Sequence, residues 1–261
     1  MMWDFHSHIL PFLDDGAEDI EEAIAMAKIA VQEGIDTIVA TPHYIAVEQE
    51  LSKEIVIKSI EKITNILREG KIPLKILPGM EVFGEWKILE KIDQGKVLSL
   101  NHTRYILIEL PMHHIPEDTE DLFYELRLRG FTPILAHPER YVEIQEDPNL
   151  LIDWIQGGVL TQVNATSLTG VLGQAAQETA RILVNHHMVH ILGTDAHTSR
   201  RRSPRMKEAI KHINQLVDSA EAHLILEEYP RKILADETIQ PIQPPIEVKK
   251  KKKSLFSFFI R

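Results

Sequence analysis

The sequence predicts an α/β fold in which seven parallel strands and their helices close, or nearly close, into a barrel with a site at the C-terminal strand ends. Three observations predict it. Seven short apolar runs alternate with segments of helical period, the pattern of repeated βαβ units with right-handed crossovers. No repeat of 20–50 residues with a fixed signature competes with that reading. Ionisable side chains with ligand chemistry follow six of the seven runs. An open doubly wound sheet serves its ligand from a few strand ends, whereas a barrel gathers all of them around one mouth.

The runs are Trp3–His8, Thr37–Thr41, Leu74–Met80, Tyr105–Leu110, Thr132–Ala136, Val159–Asn164 and Val189–Gly193. After the first, Ile20, Ala23, Ile24, Ala27, Ala30 and Val31 form one helical face, with Asp19 as N-cap and Gly34 as stop. Leu51, Ile55, Ile60, Ile63 and Leu67 mark a longer helix that ends near Gly70. Further helices are expected over 85–92, 119–129, 148–156, 174–187 and 205–217.

Composition bounds the function. With 261 residues, 44% of them hydrophobic and 26% charged, the chain reads as an ordinary globular protein able to bury a core. Its longest apolar runs fall far short of the ~20 residues of a membrane-spanning helix, and its start lacks the basic and apolar pattern of a cleaved signal peptide. The absence of cysteine excludes disulfides, thiolate metal sites and a cysteine nucleophile. A net charge of −10 argues against nucleic acid as a partner. Residues 249–261 hold +6 of that total, leaving −16 on residues 1–248.

The chemistry collects at the strand ends. His6 and His8 sit two apart, so a strand points both to one face, and Asp195 and His197 repeat that spacing after the last run. An isolated HxH is more often a surface pair. Here the first and last strands become neighbours if the barrel closes, which brings the two pairs together. Glu81 and Glu109 lie at the ends of apolar runs, where a carboxylate is costly to bury unless it is paired or binds metal. His43 and His137 each stand beside a proline just past a run. Asp14-Asp15-Gly16 is a turn, and either aspartate has the chemistry to supply an oxygen ligand. This all-nitrogen-and-oxygen set suits manganese, iron, zinc or magnesium. Metal-activated water makes hydrolysis the expected reaction. Arg140 and the Arg200-Arg201-Arg202 triplet match the bidentate geometry of phosphate, a modest preference for phosphoesters over amides, although the triplet reads equally as a solvated loop. The remaining eight histidines read as ordinary helix, loop or strand-start residues.

Taken in order, His6-Ser7-His8-Ile9-Leu10-Pro11, Asp14-Asp15-Gly16, Thr41-Pro42-His43, Gly79-Met80-Glu81-Val82, Leu135-Ala136-His137-Pro138-Glu139-Arg140 and Gly193-Thr194-Asp195-Ala196-His197 resemble the PHP (polymerase and histidinol phosphatase) superfamily. The Asp-Asp-Gly, Ile108-Glu109-Leu110-Pro111 and His-Pro-Glu-Arg versions resemble its bacterial CpsB/CapC-type metal-dependent protein-tyrosine phosphatases. The resemblance covers residues 1–235. It implies a distorted (β/α)7 barrel of PHP type and a site for three divalent ions, usually manganese. His6, His8, Glu81 and Asp195 would hold one ion; Glu81, Glu109 and His137 the second; Asp14, His43 and His197 the third. Arg140 and Arg202 would grip the phosphate while a metal-bridging hydroxide attacks phosphorus.

The resemblance further implies a cytoplasmic enzyme whose substrate is a phosphotyrosine protein, a membrane-associated bacterial tyrosine kinase of exopolysaccharide or capsule export. Residues 236–261 are expected to be a proline-containing linker and a disordered tail. Lys249–Lys253 beside Leu255, Phe256, Phe258, Phe259 and Ile260 fit peripheral contact with anionic lipid, at about 1 kcal/mol per lysine, as well as they fit a tail that binds nothing. Competing readings are a PHP-type phosphoesterase for a small molecule such as histidinol phosphate, an amidohydrolase, and a catalytically silent docking module. No strand-end lysine suits the carbamylated bridge of the amidohydrolase reading.

Overall fold

The computed structural model describes residues 1–47, 51–240 and 243–249. Its strands are β1 (Trp3–Ser7), β2 (Thr37–Ala40), β3 (His43–Tyr44), β4 (Lys75–Pro78), β5 (Glu81–Phe83), β6 (Tyr105–Glu109), β7 (Thr132–Ala136), β8 (Leu160–Asn164) and β9 (Ile191–Gly193). All pair in parallel, as a curled sheet in two parts, ordered β1-β2-β4 and β3-β5-β6-β7-β8-β9. Seven strands are predicted and nine are found among the described residues, because two runs break and resume. The run from Thr37 stops at Pro42, which has no N–H for a ladder, and continues as β3. The run from Leu74 breaks at Gly79, where a Cβ would stand 3.0 Å from both Val39 Cγ1 and Leu100 Cδ2, and continues as β5.

The helices are α1 (Ile20–Gln32), α2 (Lys53–Glu69), α3 (Lys87–Asp93), α4 (Thr119–Leu128), α5 (Val142–Glu146), α6 (Leu150–Gln156), α7 (Ala165–Leu168), α8 (Gln174–Asn185), α9 (Lys207–Leu216), α10 (Ser219–His223) and α11 (Tyr229–Leu234). Asp19 caps α1 through the Glu22 N–H, and α1 buries Ala23, Met26, Ala27 and Ala30. Helix α2 buries Val56, Ile60, Ile63 and Leu67, not Ile55, which is exposed; the 4-3-4 spacing from 56 keeps one face where 55 falls off it. Four short helices, α5, α7, α10 and α11, escape the sequence pattern because none spans two turns.

Two apolar clusters flank the sheet. Phe5, Val39, Leu77, Leu107, Ile134, Leu160 and Ile191 fill its inner side, closed by Leu224, Tyr229 and Ile233. The other strand faces pack against the helices. Along β6, β7, β8 and β9 the inner side takes alternate residues, as the pleat requires. Strand β1 departs from that alternation. Trp3 and Asp4 pair with Thr37 and Ile38, but Ser7 pairs with Ala40, so β1 carries one extra residue. This bulge changes the phase of the strand: Phe5 joins the inner cluster, and His6 and His8 still converge at the mouth, with Nε2 atoms 3.1 Å apart. The buried Asp4 accepts from the His6 N–H, the Thr194 N–H and the Thr194 hydroxyl, tying the bulge to the far end of the sheet.

Beyond α11 the chain remains bonded to the body. Asp236 accepts from the Arg104 N–H, Tyr105 donates its hydroxyl to the Glu237 carbonyl, and Val248 exchanges two hydrogen bonds with Asn149. The lysine-rich tail, apart from Lys249, lies outside the described residues. No helix among the described residues is long and apolar enough to cross a membrane.

Candidate metal centre

Strand ends and the loops after them carry the expected donors into one cluster. Glu81, at the start of β5, is its centre: Oε1 lies 3.2 Å from His6 Nε2 and 2.9 Å from His137 Nε2, while Oε2 lies 3.3 Å from His8 Nε2 and 3.0 Å from His43 Nδ1. Glu109 closes the same side, 3.7 Å from His43 and 3.6 Å from His137. Asp195 lies 3.6 Å from His6 and 3.5 Å from His8. His137 and Asp195 both adopt left-handed backbone, φ 34° and 51°, as the chain turns sharply out of its strand.

The two aspartates of the first turn divide the work. Asp14 faces backwards: its Oδ2 pairs with His8 Nδ1 at 2.7 Å and accepts from the His43 N–H at 3.0 Å. Asp15 faces the mouth, 3.4 Å from His43 Nε2 and 3.3 Å from His197 Nε2. Gly16 makes this turn possible, since a Cβ there would stand 2.2 Å from the His8 carbonyl oxygen. Of the residues the sequence proposes for the third ion, His43 and His197 therefore meet Asp15, and Asp14 is engaged elsewhere. The neighbouring arginines divide too. Arg140 and Arg202 reach the two oxygens of Asp195 at 2.8 and 2.7 Å. Arg201 bonds the Val171 carbonyl, and Arg200 is exposed on the loop.

Electrostatics follow from burial and crowding. Burial opposes ionisation of Glu81, but the charge of His6 and the adjoining imidazoles of His137 and His43 hold it well below the usual carboxylate range. Asp195 is likewise held low against burial, by His6, His137 and Arg202. Bonds to His197 and His43 depress Asp15. Burial and the Glu81 charge push Glu109 up to about 7. Burial disfavours a proton on His8 and His43, yet their carboxylate partners raise them to about 10 and about 11. Burial prevails at His137, lowered to about 4.

Such a cluster fits divalent cations. Three donor groups overlap: His8, Asp15, His43 and His197; His6, His8 and Glu81; and His43, Glu81 and Glu109. Glu81 Oε2 is buried and makes no hydrogen bond despite two imidazoles beside it. The His6 and His8 Nε2 atoms face each other 3.1 Å apart, and each is also turned to Glu81. Converging lone pairs of this kind suit a cation better than a proton.

Sequence reasoning did not single out Asp4, Gln162, Asn164 or Glu139. Gln162 and Asn164 are amides on an apolar-looking strand, without a ligand's charge. Glu139 lay within a quoted motif, but its role is visible only in its bonds to the Asn164 N–H and the Ser167 hydroxyl. Among the other histidines, His190 is buried at the start of β9 and accepts from the Thr161 N–H, away from the cluster. His114 is exposed and pairs with Glu143.

A family profile described as capsular polysaccharide synthesis, CpsB/CapC, matches residues 2–235. The chain belongs to the CpsB/CapC family. Among CpsB/CapC relatives it is similar to the tyrosine-protein phosphatase YwqE of Bacillus subtilis, 38% identical across 99% of this chain and 100% of that one. It is similar to the tyrosine-protein phosphatase CpsB of Streptococcus pneumoniae, 29% identical across 91% of this chain and 100% of that one. A crystal structure from work on YwqE of B. subtilis and CpsB of S. pneumoniae, described as unique metal-dependent tyrosine phosphatases, superposes with a TM-score of 0.90 at 37% identity, covering 95% of this chain and 100% of that one. Histidinol phosphate phosphatase of Lactococcus lactis, at 14% identity and a TM-score of 0.54 over 84% of this chain and 93% of that one, shares the fold. The CpsB/CapC relatives thus carry the activity that the sequence resemblance implies.

Proposed function

We propose that this chain is a metal-dependent protein-tyrosine phosphatase whose substrate is a tyrosine kinase of bacterial capsule or exopolysaccharide export. The observation that carries it is Glu81, a buried carboxylate shared by four imidazoles and set beside two arginines that meet on Asp195. His6, His8, Glu81 and Asp195 would hold one ion, and Glu81, Glu109 and His137 a second. Asp15, His43 and His197 would hold the third; Asp14 instead orients His8. Manganese is the ion we favour, and the same donors accept iron, zinc or magnesium. In this reading the two sheet parts act as one distorted (β/α)7 barrel, supported by the Asp195 N–H to His6 carbonyl and His8 N–H to Ala196 carbonyl bonds, 2.7 and 2.9 Å, that join its two ends.

Divalent ions held here supply Lewis acidity and lower the pKa of bound water towards neutrality. The chain's own residues do the rest. Arg140 and Arg202 turn their guanidinium groups to the phosphoryl oxygens, fixing the ester and stabilising charge as the P–O bond to the phenol breaks. A phenol leaves with a pKa of ~10, so its oxygen needs less help from an acid than a serine alkoxide would. Residues 1–235 form the catalytic unit, and residues 236–261 extend it. Lys249–Arg261 fit a peripheral contact with the inner surface of the membrane on which such a kinase sits.

The test is phosphate release by metal-stripped protein reloaded with manganese, zinc or magnesium, on phosphotyrosine, phosphoserine and histidinol-phosphate substrates. The expected outcome is metal-restored release, fastest from phosphotyrosine peptides. A preference for histidinol phosphate overturns the substrate and keeps the site.

A further inference from the structure

Strand β8 brings no ionisable side chain to the mouth, and its inner side there is Gln162 and Asn164, both fully buried. These amides form a chain of hydrogen bonds between two donors of the centre. His6 Nδ1 lies 2.8 Å from Gln162 Oε1; Gln162 Nε2 donates to Asn164 Oδ1 at 2.8 Å; Asn164 Nδ2 donates to Asp195 Oδ2 at 2.9 Å. Each amide has one oxygen that accepts and one nitrogen that donates, so the chain has one polarity. An amide oxygen at His6 Nδ1 requires a proton on Nδ1, so that in the neutral ring Nε2 keeps its lone pair, turned towards Glu81 and His8. The last amide nitrogen, at the other end, requires an unprotonated oxygen on Asp195.

We propose that Gln162 and Asn164 are positioning residues that set His6 in its Nδ1–H tautomer and hold the Asp195 carboxylate in place, the arrangement in which both can bind a divalent cation. The surroundings are built to hold this relay. Glu139 Oε1 accepts from the Asn164 N–H at 3.0 Å, fixing the end of β8. Gly193, which faces Asn164 across the ladder, leaves the space it needs. A Cβ on Gly193 would stand 2.5 Å from His6 Cβ and 2.8 Å from Gln162 Nε2. An oriented partner on the far nitrogen of a ligating histidine governs its tautomer and basicity, and losing one typically lowers metal affinity 10–100-fold.

The inference rests on the reading of His6 and Asp195 as metal ligands, and the test separates the two. In full-length, metal-stripped protein, at a pH high enough to leave the His6 ring neutral, the ring-nitrogen shifts of His6 report its tautomer by NMR, and competition with a chromophoric chelator reports manganese and zinc affinity. Wild-type His6 is expected as Nδ1–H. Gln162→Met, close in shape and without an acceptor, should shift His6 towards Nε2–H and lower metal affinity about 10–100-fold. Gln162→Glu, which keeps the acceptor, should restore the Nδ1–H tautomer. Asn164→Leu should keep that tautomer and still weaken metal binding, and it carries the test alone if Gln162→Met does not fold by circular dichroism. Unchanged tautomer and affinity in a folded Gln162→Met protein, or unchanged affinity in Asn164→Leu, overturns the relay. A wild-type protein that binds no metal overturns instead the reading beneath it, while the tautomer measurement still decides what the amides do.

Discussion

The inner side of the sheet has two ends made by the same strands, and they are chemical opposites. At the N-terminal end Phe5, Val39, Leu77, Leu107, Ile134, Leu160 and Ile191 interlock and need nothing from outside the chain. Two to four residues further on, Leu107 gives way to Glu109, Ile134 to His137, Leu160 to Gln162 and Asn164, and Ile191 to Asp195. The apolar end holds the curled sheet by excluding water, whereas the polar end buries carboxylates and imidazoles that satisfy one another and, in the proposed function, bind cations. The contrast teaches that stability and chemistry are separable along a single strand. The β1 bulge shows how sharply: one extra residue lets Phe5 serve one end and His6 the other.

Substitutions at the two ends should therefore fail differently. Glu81→Gln should have the largest effect, with metal and activity lost together by at least about a thousand-fold in kcat. Metal analysis beside turnover checks it, and a variant that keeps full metal content breaks the central role given to Glu81. Leu107→Ala, at the apolar end, should cost about 2–5 kcal/mol of stability in chemical denaturation with metal content of the folded protein unchanged. Loss of metal there would mean that the two ends are coupled. Arg140→Ala should lower kcat/KM about a hundred-fold and leave metal content intact; if metal is stripped as well, Arg140 belongs to the metal-binding set and not to the phosphate.

The smallest effect concerns a histidine outside the metal cluster. Burial lowers His190 to about 4, so the unfolded chain takes a proton below pH 6.5 that the folded chain refuses. Its contribution is complete above pH 6.5 and is lost as pH falls towards 4, up to about 3 kcal/mol by linkage. His190→Gln keeps an acceptor for the Thr161 N–H and should flatten that part of the stability profile of metal-stripped protein, measured against wild type. An unchanged slope would assign acid sensitivity to the mouth.

Much was legible in the sequence because periodicity and residue type survive without a structure. The strand and helix alternation, the parallel sheet, and the gathering of His6, His8, His43, Glu81, Glu109, His137, Asp195 and His197 at strand ends all follow from spacing. What the spacing missed has local causes. Pro42 and Gly79 break runs that read as continuous, and α5, α7, α10 and α11 are too short to show a period.

The sequence by itself determined the order of the elements, the donor chemistry of the site and the family resemblance, since these depend on residue identity along one line. Tertiary structure alone gave Asp14 and Asp15 different partners, because the turn closes against His8 through Gly16 and sends one carboxylate back to His8 and the other towards His43 and His197. It also singled out Arg202 from its neighbours as the arginine that meets Asp195. Gln162 and Asn164 acquired a role only there as well. An amide on a strand carries no signal of its own, and its meaning depends on His6 and Asp195 reaching it from strand ends 156 and 31 residues away.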